Sequence, residues 1–344
     1  MISTPNQTYI AELCGCFTTE LKMRNFTTTN PSNVANYSQY RVGVSTTTLN
    51  ILFSSLAVTF NSILILVLIR DPFREFRSAS TVFVANLAVA DLFTGIFTIL
   101  KSVFSGLEIQ LQSNIALTVS YNASAYTMQC SIFTVLLITM ERLLAVMNPT
   151  KFKTLLTKSR CFLLSLPTWL LPFLDLTLIV LLAARTSNKI FLVYPLINLL
   201  AICLVVLGYF HLYKLLKRKR QEIVRYAVPE TEENSKNGNS APSLRRRQRT
   251  FAENKRLVNT FLMVTAVLVI SMVPITLVYM VLALCSIDCS IMAWYIAVKY
   301  EPFVMLNFIA NPVIYAFRLP QYRKAFWTVL KCARHTTTVS PMAT

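Results

Sequence analysis

The stretch FVMLNFIANPVIYAF, Phe303 to Phe317, with RLPQYRKAF running on to Phe326, decides how the chain must fold. Its first half is apolar enough for lipid yet contains Asn307, Asn311 and Pro312. An unpaired amide costs several kcal/mol in hydrocarbon and proline removes a backbone donor, so this helix requires protein neighbours. Asn307 and Asn311 are four apart and share one face. Beyond Phe317, basic residues alternate with Tyr322, Phe326, Trp327 and Leu330, the pattern of a helix lying on a membrane surface.

The rest of the chain supplies the bundle that such a helix needs. Hydrophobic residues make up 54% and charged residues 14% of the 344, against roughly 45–50% and about 25% in soluble domains. Apolar segments near 46–69, 80–104, 115–146, 161–184, 190–214, 256–284 and 291–317 are each long enough to cross a bilayer. The prediction is an all-α fold: a seven-transmembrane helix bundle over 45–317 with a cytoplasmic amphipathic surface helix and tail over 318–344.

Charge sets the expected orientation. The net charge of +18 comes from basic residues crowding alternate loops: Arg70, Arg74 and Arg77; Lys151, Lys153, Lys158 and Arg160; and the run from Lys214 to Arg256. The positive-inside rule accounts for that pattern without nucleic acid and places the amino terminus outside. Residues 1–44 carry glycosylation sequons at Asn6, Asn25 and Asn36, consistent with an extracellular tail. Residues 217–253 run from KRKR through PETEENSKNGNSAPS to RRRQR and read as a flexible third intracellular loop, drawn to anionic membrane lipid and suited to docking. Cys332 follows the surface helix, where it is either a palmitoylation site or an unmodified thiol.

Few ionisable residues lie inside the spans, and each is a functional candidate because burial is costly. Asp91 is the mid-membrane acid; its candidate partners are Ser131, Asn307 and Asn311. These oxygens would suit a small hard cation such as sodium, or form a hydrogen-bonded network without an ion. Glu141 and Arg142 close the third span, either as a snorkelling pair or as a switch. Pro274 gives the sixth span a point at which to bend. With two histidines, no CxxC and no HExxH spacing, the chain lacks the ligand set of a zinc enzyme, and no nucleophile has a base beside it. A channel or transporter using Asp91 remains the alternative to a receptor.

Together, Asn61, NLAVADL ending with Asp91 and Leu92, ERLLAVMNP from Glu141, Trp169, Tyr209, Pro274 and NPVIY from Asn311 to Tyr315 resemble a rhodopsin-like (class A) G-protein-coupled receptor. The resemblance implies a receptor that binds an extracellular ligand at the plasma membrane and promotes nucleotide exchange on a heterotrimeric G protein. Receptor kinases and arrestin would then act on the tail. It implies a sodium-sensitive network of Asp91, Ser131, Asn307 and Asn311, and an activation switch of Glu141, Arg142, Tyr209, Met272, Pro274, Asn311, Pro312 and Tyr315. Departures accompany it: Leu143 replaces the tyrosine of Asp-Arg-Tyr, Met272 replaces a tryptophan, and Asn254 replaces an acid that clasps the arginine. Leu117 and Ala201 replace the usual cysteine and proline. These point toward the melanocortin, lysophospholipid, cannabinoid and adenosine branch. The resemblance to the bridged third outer loop of melanocortin receptors implies that Cys285 and Cys289 take part in a disulfide there, with Cys14 or Cys16 able to pair with one of them, unless some are free thiols. Pocket residues by analogy are Lys101, Tyr121, Ser124, Met128, Asn198, Tyr279 and Glu301. Ser124 disfavours an amine ligand and Met305 disfavours retinal, leaving a peptide, lipid or nucleoside.

Overall fold

The computed structural model describes residues 44–73, 76, 79–107, 115–148, 152, 154–183, 191–233, 241–284 and 287–337. Asn6, Cys14, Cys16, Asn25, Asn36 and Cys285 lie outside the described residues, as do the side chains of Asn254, Cys289 and Cys332. Nine helices are present among those described: α1 Val44–Arg70, α2 Ala79–Leu107, α3 Ile115–Met147, α4 Lys158–Ser165, α5 Pro167–Ala183, α6 Val193–Glu233, α7 Ala241–Leu284, α8 Ile287–Arg318 and α9 Pro320–Thr337. A helix satisfies its own backbone, which is what allows these apolar runs to cross hydrocarbon.

By length and apolarity, six spans qualify on their own; α4 and α5 together form the fourth of them. The chain breaks there because Pro167 has no N–H to donate; the Leu166 N–H turns back instead to the Leu163 carbonyl at 3.2 Å. The seventh span, α8, qualifies only together with α9, from which it is bent by 101°. It holds Pro302, Pro312, Asn307 and Asn311, and both asparagines are buried by their neighbours. This is the shielding that the amides and the proline require. The bend falls at Leu319, and Pro320 occupies the first position of α9, where a missing N–H costs nothing.

The bundle closes on itself, with α1 packed against both α2 and α8 and α3 at the centre. The apolar stretch of α3 is 56% buried, against 22% to 28% for α1, α4 with α5, and α7. Close approach relies on glycine in two places. A Cβ on Gly95 would stand 2.8 Å from Val58 Cγ2, and one on Gly208 would stand 2.7 Å from Thr139 Cγ2. Small residues at such crossings let α1 meet α2 and α3 meet α6.

One boundary differs from expectation. The described residues of 217–253 are helical: α6 continues to Glu233 and α7 starts at Ala241. Lys, Arg, Gln and Glu are good helix formers, so charge density here marks where the membrane ends and not where the helix ends.

Candidate functional site

Three tiers of buried polar groups run down the bundle. In the middle tier Asp91 is fully buried. Ser131 Oγ donates to its Oδ1 at 2.6 Å and Asn311 Nδ2 to its Oδ2 at 2.7 Å, joining α2, α3 and α8. Asn61 Nδ2 donates to the carbonyls of Ala57 and Phe308, both at 2.9 Å, which ties α1 to α8. Asn307 is buried, but neither of its amide atoms has a hydrogen-bond partner, and Asn311 Oδ1 has none. Of the expected quartet, hydrogen bonds therefore connect Asp91, Ser131 and Asn311.

The inner tier is built on the end of α3. Arg142 Nε lies 2.8 Å from Glu141 Oε2, and Ser80 Oγ donates to Glu141 Oε1 at 2.7 Å. The Arg142 guanidinium stands 5.2 Å over the Phe261 ring of α7. From Phe261 the ring contacts continue to Tyr315 at 5.7 Å, to Tyr322 of α9 at 5.8 Å, and to Phe76 at 4.6 Å. One cation thus touches a chain of aromatics through three elements and the first loop. Tyr209 of α6 and Met272 of α7 are both buried, but Met272 stands eleven residues, about 16 Å, along α7 from Phe261 and so lies outside this tier. The Tyr315 hydroxyl is buried without a hydrogen-bond partner.

Pro274 lies on the exposed face of α7. Having no N–H, it leaves the carbonyl of Ile270, four residues back, without its helical donor. The Tyr300 hydroxyl of α8 donates to that carbonyl at 2.8 Å. A tyrosine on one helix therefore supplies the bond that the proline removes from its neighbour. Tyr300→Phe is expected to free the carbonyl and loosen the kink, lowering the melting temperature of the purified protein at a cost of about 1 kcal/mol. An unchanged melting curve, with unchanged helix content by circular dichroism, would count against the bond.

In the outer tier Lys101 and Glu301 form an ion pair between α2 and α8. Lys101 Nζ also sits 4.7 Å over the Tyr121 ring, and Asn50 Nδ2 donates to Glu301 Oε2 at 3.1 Å. Four helices meet at this pair. Ser124 is bonded to Thr98 at 3.0 Å, between α3 and α2. Asn198 is buried in α6, while Met128 and Tyr279 are partly buried against the main core. No hydrogen bond or ion pair joins these last three to the Lys101 cluster among the described residues.

Asp175, Asn50 and Tyr300 went unread in the sequence, as did the contacts that Trp169 and Asn86 make. A second buried acid, Asp175 in α5, accepts from Gln129 Nε2 of α3 at 3.0 Å, which corrects the expectation of a single mid-membrane acid. An aspartate inside an apolar run was a legible signal. Trp169 Nε1 donates to Asn86 Oδ1 at 2.8 Å, and Asn86 Nδ2 donates to Thr134 and Thr168 at 2.8 and 3.1 Å. That knot binds the fourth span to α2 and α3. Tyr300 gave no comparable signal, because a tyrosine ring sits in an apolar run without the cost of an amide or a carboxylate.

No curated protein was found to match the chain. A family model described as 7 transmembrane receptor (rhodopsin family) matches residues 60–315, well over half of the length. The matched range contains Pro274 and, from the middle and inner tiers, Asn61, Asp91, Arg142, Asn311 and Tyr315. The chain therefore belongs to the rhodopsin family of seven-transmembrane receptors.

Proposed function

We propose that this receptor sits in the plasma membrane with its amino terminus outside, binds an extracellular ligand, and promotes nucleotide exchange on a heterotrimeric G protein. The observation that carries the reading is the setting of Arg142. A buried cation clasped by the residue before it on the same helix, and leaning on Phe261 of another, changes partners when α7 moves relative to α3. Signalling of this kind requires two arrangements of one bundle whose balance a ligand shifts. The assay is nucleotide exchange on purified G proteins reconstituted with the receptor, and a screen of peptides, lipids and nucleosides would identify the ligand class. No stimulation by any of these across all G-protein classes would overturn the reading.

Asp91, Ser131, Asn307 and Asn311 would hold a sodium ion in this scheme. Hard oxygen donors are the right chemistry, and the carbonyl oxygens of Asn307 and Asn311 are buried without protein donors. Both carboxylate oxygens of Asp91 accept hydrogen bonds from neighbouring helices, which favours a hub of the bundle over a step in a conduction path. No enzymatic step is assigned. The amino-terminal sequons and Cys332 would carry sugars and palmitate, Cys285 and Cys289 would take part in a disulfide, and receptor kinases and arrestin would act on the tail.

The outer cluster is the proposed ligand floor. Lys101 and Glu301 neutralise each other, so a ligand that engages them must bring both charges or separate the pair. Glu301→Gln is expected to leave the Lys101 ammonium buried and uncompensated, and so to lower ligand potency together with stability. Exchanging the two residues, with Lys101→Glu and Glu301→Lys, restores the pair. Recovered stability without recovered potency would place the ligand on the cluster; unchanged potency in Glu301→Gln would remove it from the pocket.

A further inference from the structure

A cleft of about 340 Å³ opens between α7 and α8, lined by Ala252, Lys255, Arg256, Asn259, Phe317 and Arg318. Three of these six side chains are cationic and none is acidic. Like charges gathered on one face repel one another, and an anion seated among them relieves that cost. The cleft is also anchored. Arg256 Nε donates to the Arg318 carbonyl at 2.8 Å, which satisfies a terminal carbonyl of α8 and holds one guanidinium at the junction of the helices.

Its depth is set by the two spans. The apolar stretch of α7 begins at Lys255 and α8 ends at Arg318, so the cleft lies where hydrocarbon gives way to headgroups. Phe317, 74% exposed, stands beside it, a position in which an aromatic ring rests at the membrane interface. A ligand there meets three cations and an exposed aromatic ring. We infer that the cleft between α7 and α8 is a binding site for a phosphoinositide, a membrane lipid whose headgroup carries phosphomonoesters on an inositol ring. The guanidiniums supply planar forks for phosphate oxygens, Lys255 supplies a point charge, and the Asn259 amide can bond a ring hydroxyl. An acidic phosphodiester lipid such as phosphatidylserine offers fewer acceptors and would bind less tightly. Because the site touches both α7 and α8, its occupant would hold them together. Such an occupant requires the proposed orientation, with this end of α7 and α8 toward the cytoplasm, and neither a particular extracellular ligand nor G-protein coupling.

The test uses the full-length purified receptor in neutral detergent and a short-chain phosphatidylinositol bisphosphate, with short-chain phosphatidylserine and soluble inositol trisphosphate as comparisons. Binding is read by native mass spectrometry and by the shift in melting temperature. The double variant Lys255→Gln/Arg318→Gln is expected to weaken phosphoinositide binding about tenfold or more, since each basic residue near the surface adds a substantial increment. Ala252→Trp fills the cleft without changing charge and should weaken binding comparably, which keeps the test decisive if the charge variant folds poorly. Arg245→Gln/Arg246→Gln removes two charges elsewhere and should change binding less than twofold. Equal losses in the two charge variants, or full binding by Ala252→Trp, would overturn the site in favour of diffuse attraction to basic residues. Binding of soluble inositol trisphosphate as tight as that of the lipid would overturn a membrane lipid as the occupant.

Discussion

Replacing Arg142 with alanine is expected to abolish stimulated nucleotide exchange and to destabilise the receptor at the same time. The Arg142 guanidinium is the ion-pair partner of Glu141, a buried carboxylate, and its removal leaves that charge with the Ser80 hydroxyl. Breaking a buried pair by deleting one member costs about 3–5 kcal/mol, because the remaining charge is uncompensated. The two effects can be separated. In the double variant Glu141→Gln/Arg142→Ala no charge is stranded, so the melting temperature should return toward wild type while exchange stays absent. Exchange in the double variant at wild-type rate would show that Arg142 serves stability alone. Exchange by the single variant would remove it from signalling altogether.

Asp91→Ala is expected to produce the next largest change, and for a different reason. It removes one acceptor that serves two donors, Ser131 Oγ and Asn311 Nδ2, both buried. Each stranded donor costs about 1–3 kcal/mol, so a loss of about 2–6 kcal/mol follows if the bundle does not relax. Asp91→Asn should cost much less. Its carbonyl can still accept from Ser131, and its amide can donate to Asn311 once that side chain turns its unpaired Oδ1 inward. Melting curves of the two purified variants check the order, and equal melting temperatures would mean that Asp91 does not organise this contact. The same samples test the cation: a sodium-dependent rise in the wild-type melting temperature should vanish in Asp91→Ala, and its persistence would place the ion elsewhere.

Much of the middle and inner tiers could be read before any coordinates, for a thermodynamic reason. An amide or carboxylate within an apolar run is costly unless another helix answers it, so Asp91, Asn307 and Asn311 announced a bundle and one another. The same rule applied to Asp175 would have found its bond to Gln129. What could not be read was the choice among partners: Asn307 shares a face with Asn311, yet only Asn311 reaches Asp91. How α8 lies against α2 decides that, and no spacing along one helix encodes it.

Other features exist only because distant elements are brought together. Pro274 told of a missing donor in α7, but Tyr300 became the substitute only when α8 packed beside the gap. Lys101 and Glu301 are separated by more than half of the chain and are joined because the bundle closes into a ring. The sequence by itself determined the all-helical class, the number of crossings and the polar groups that had to be sheltered, since these follow from the transfer cost of each residue taken singly. Tertiary structure alone decided which helix shelters which group, and where three cations come to share one cleft, because those outcomes depend on packing between segments with no local signal of their neighbours.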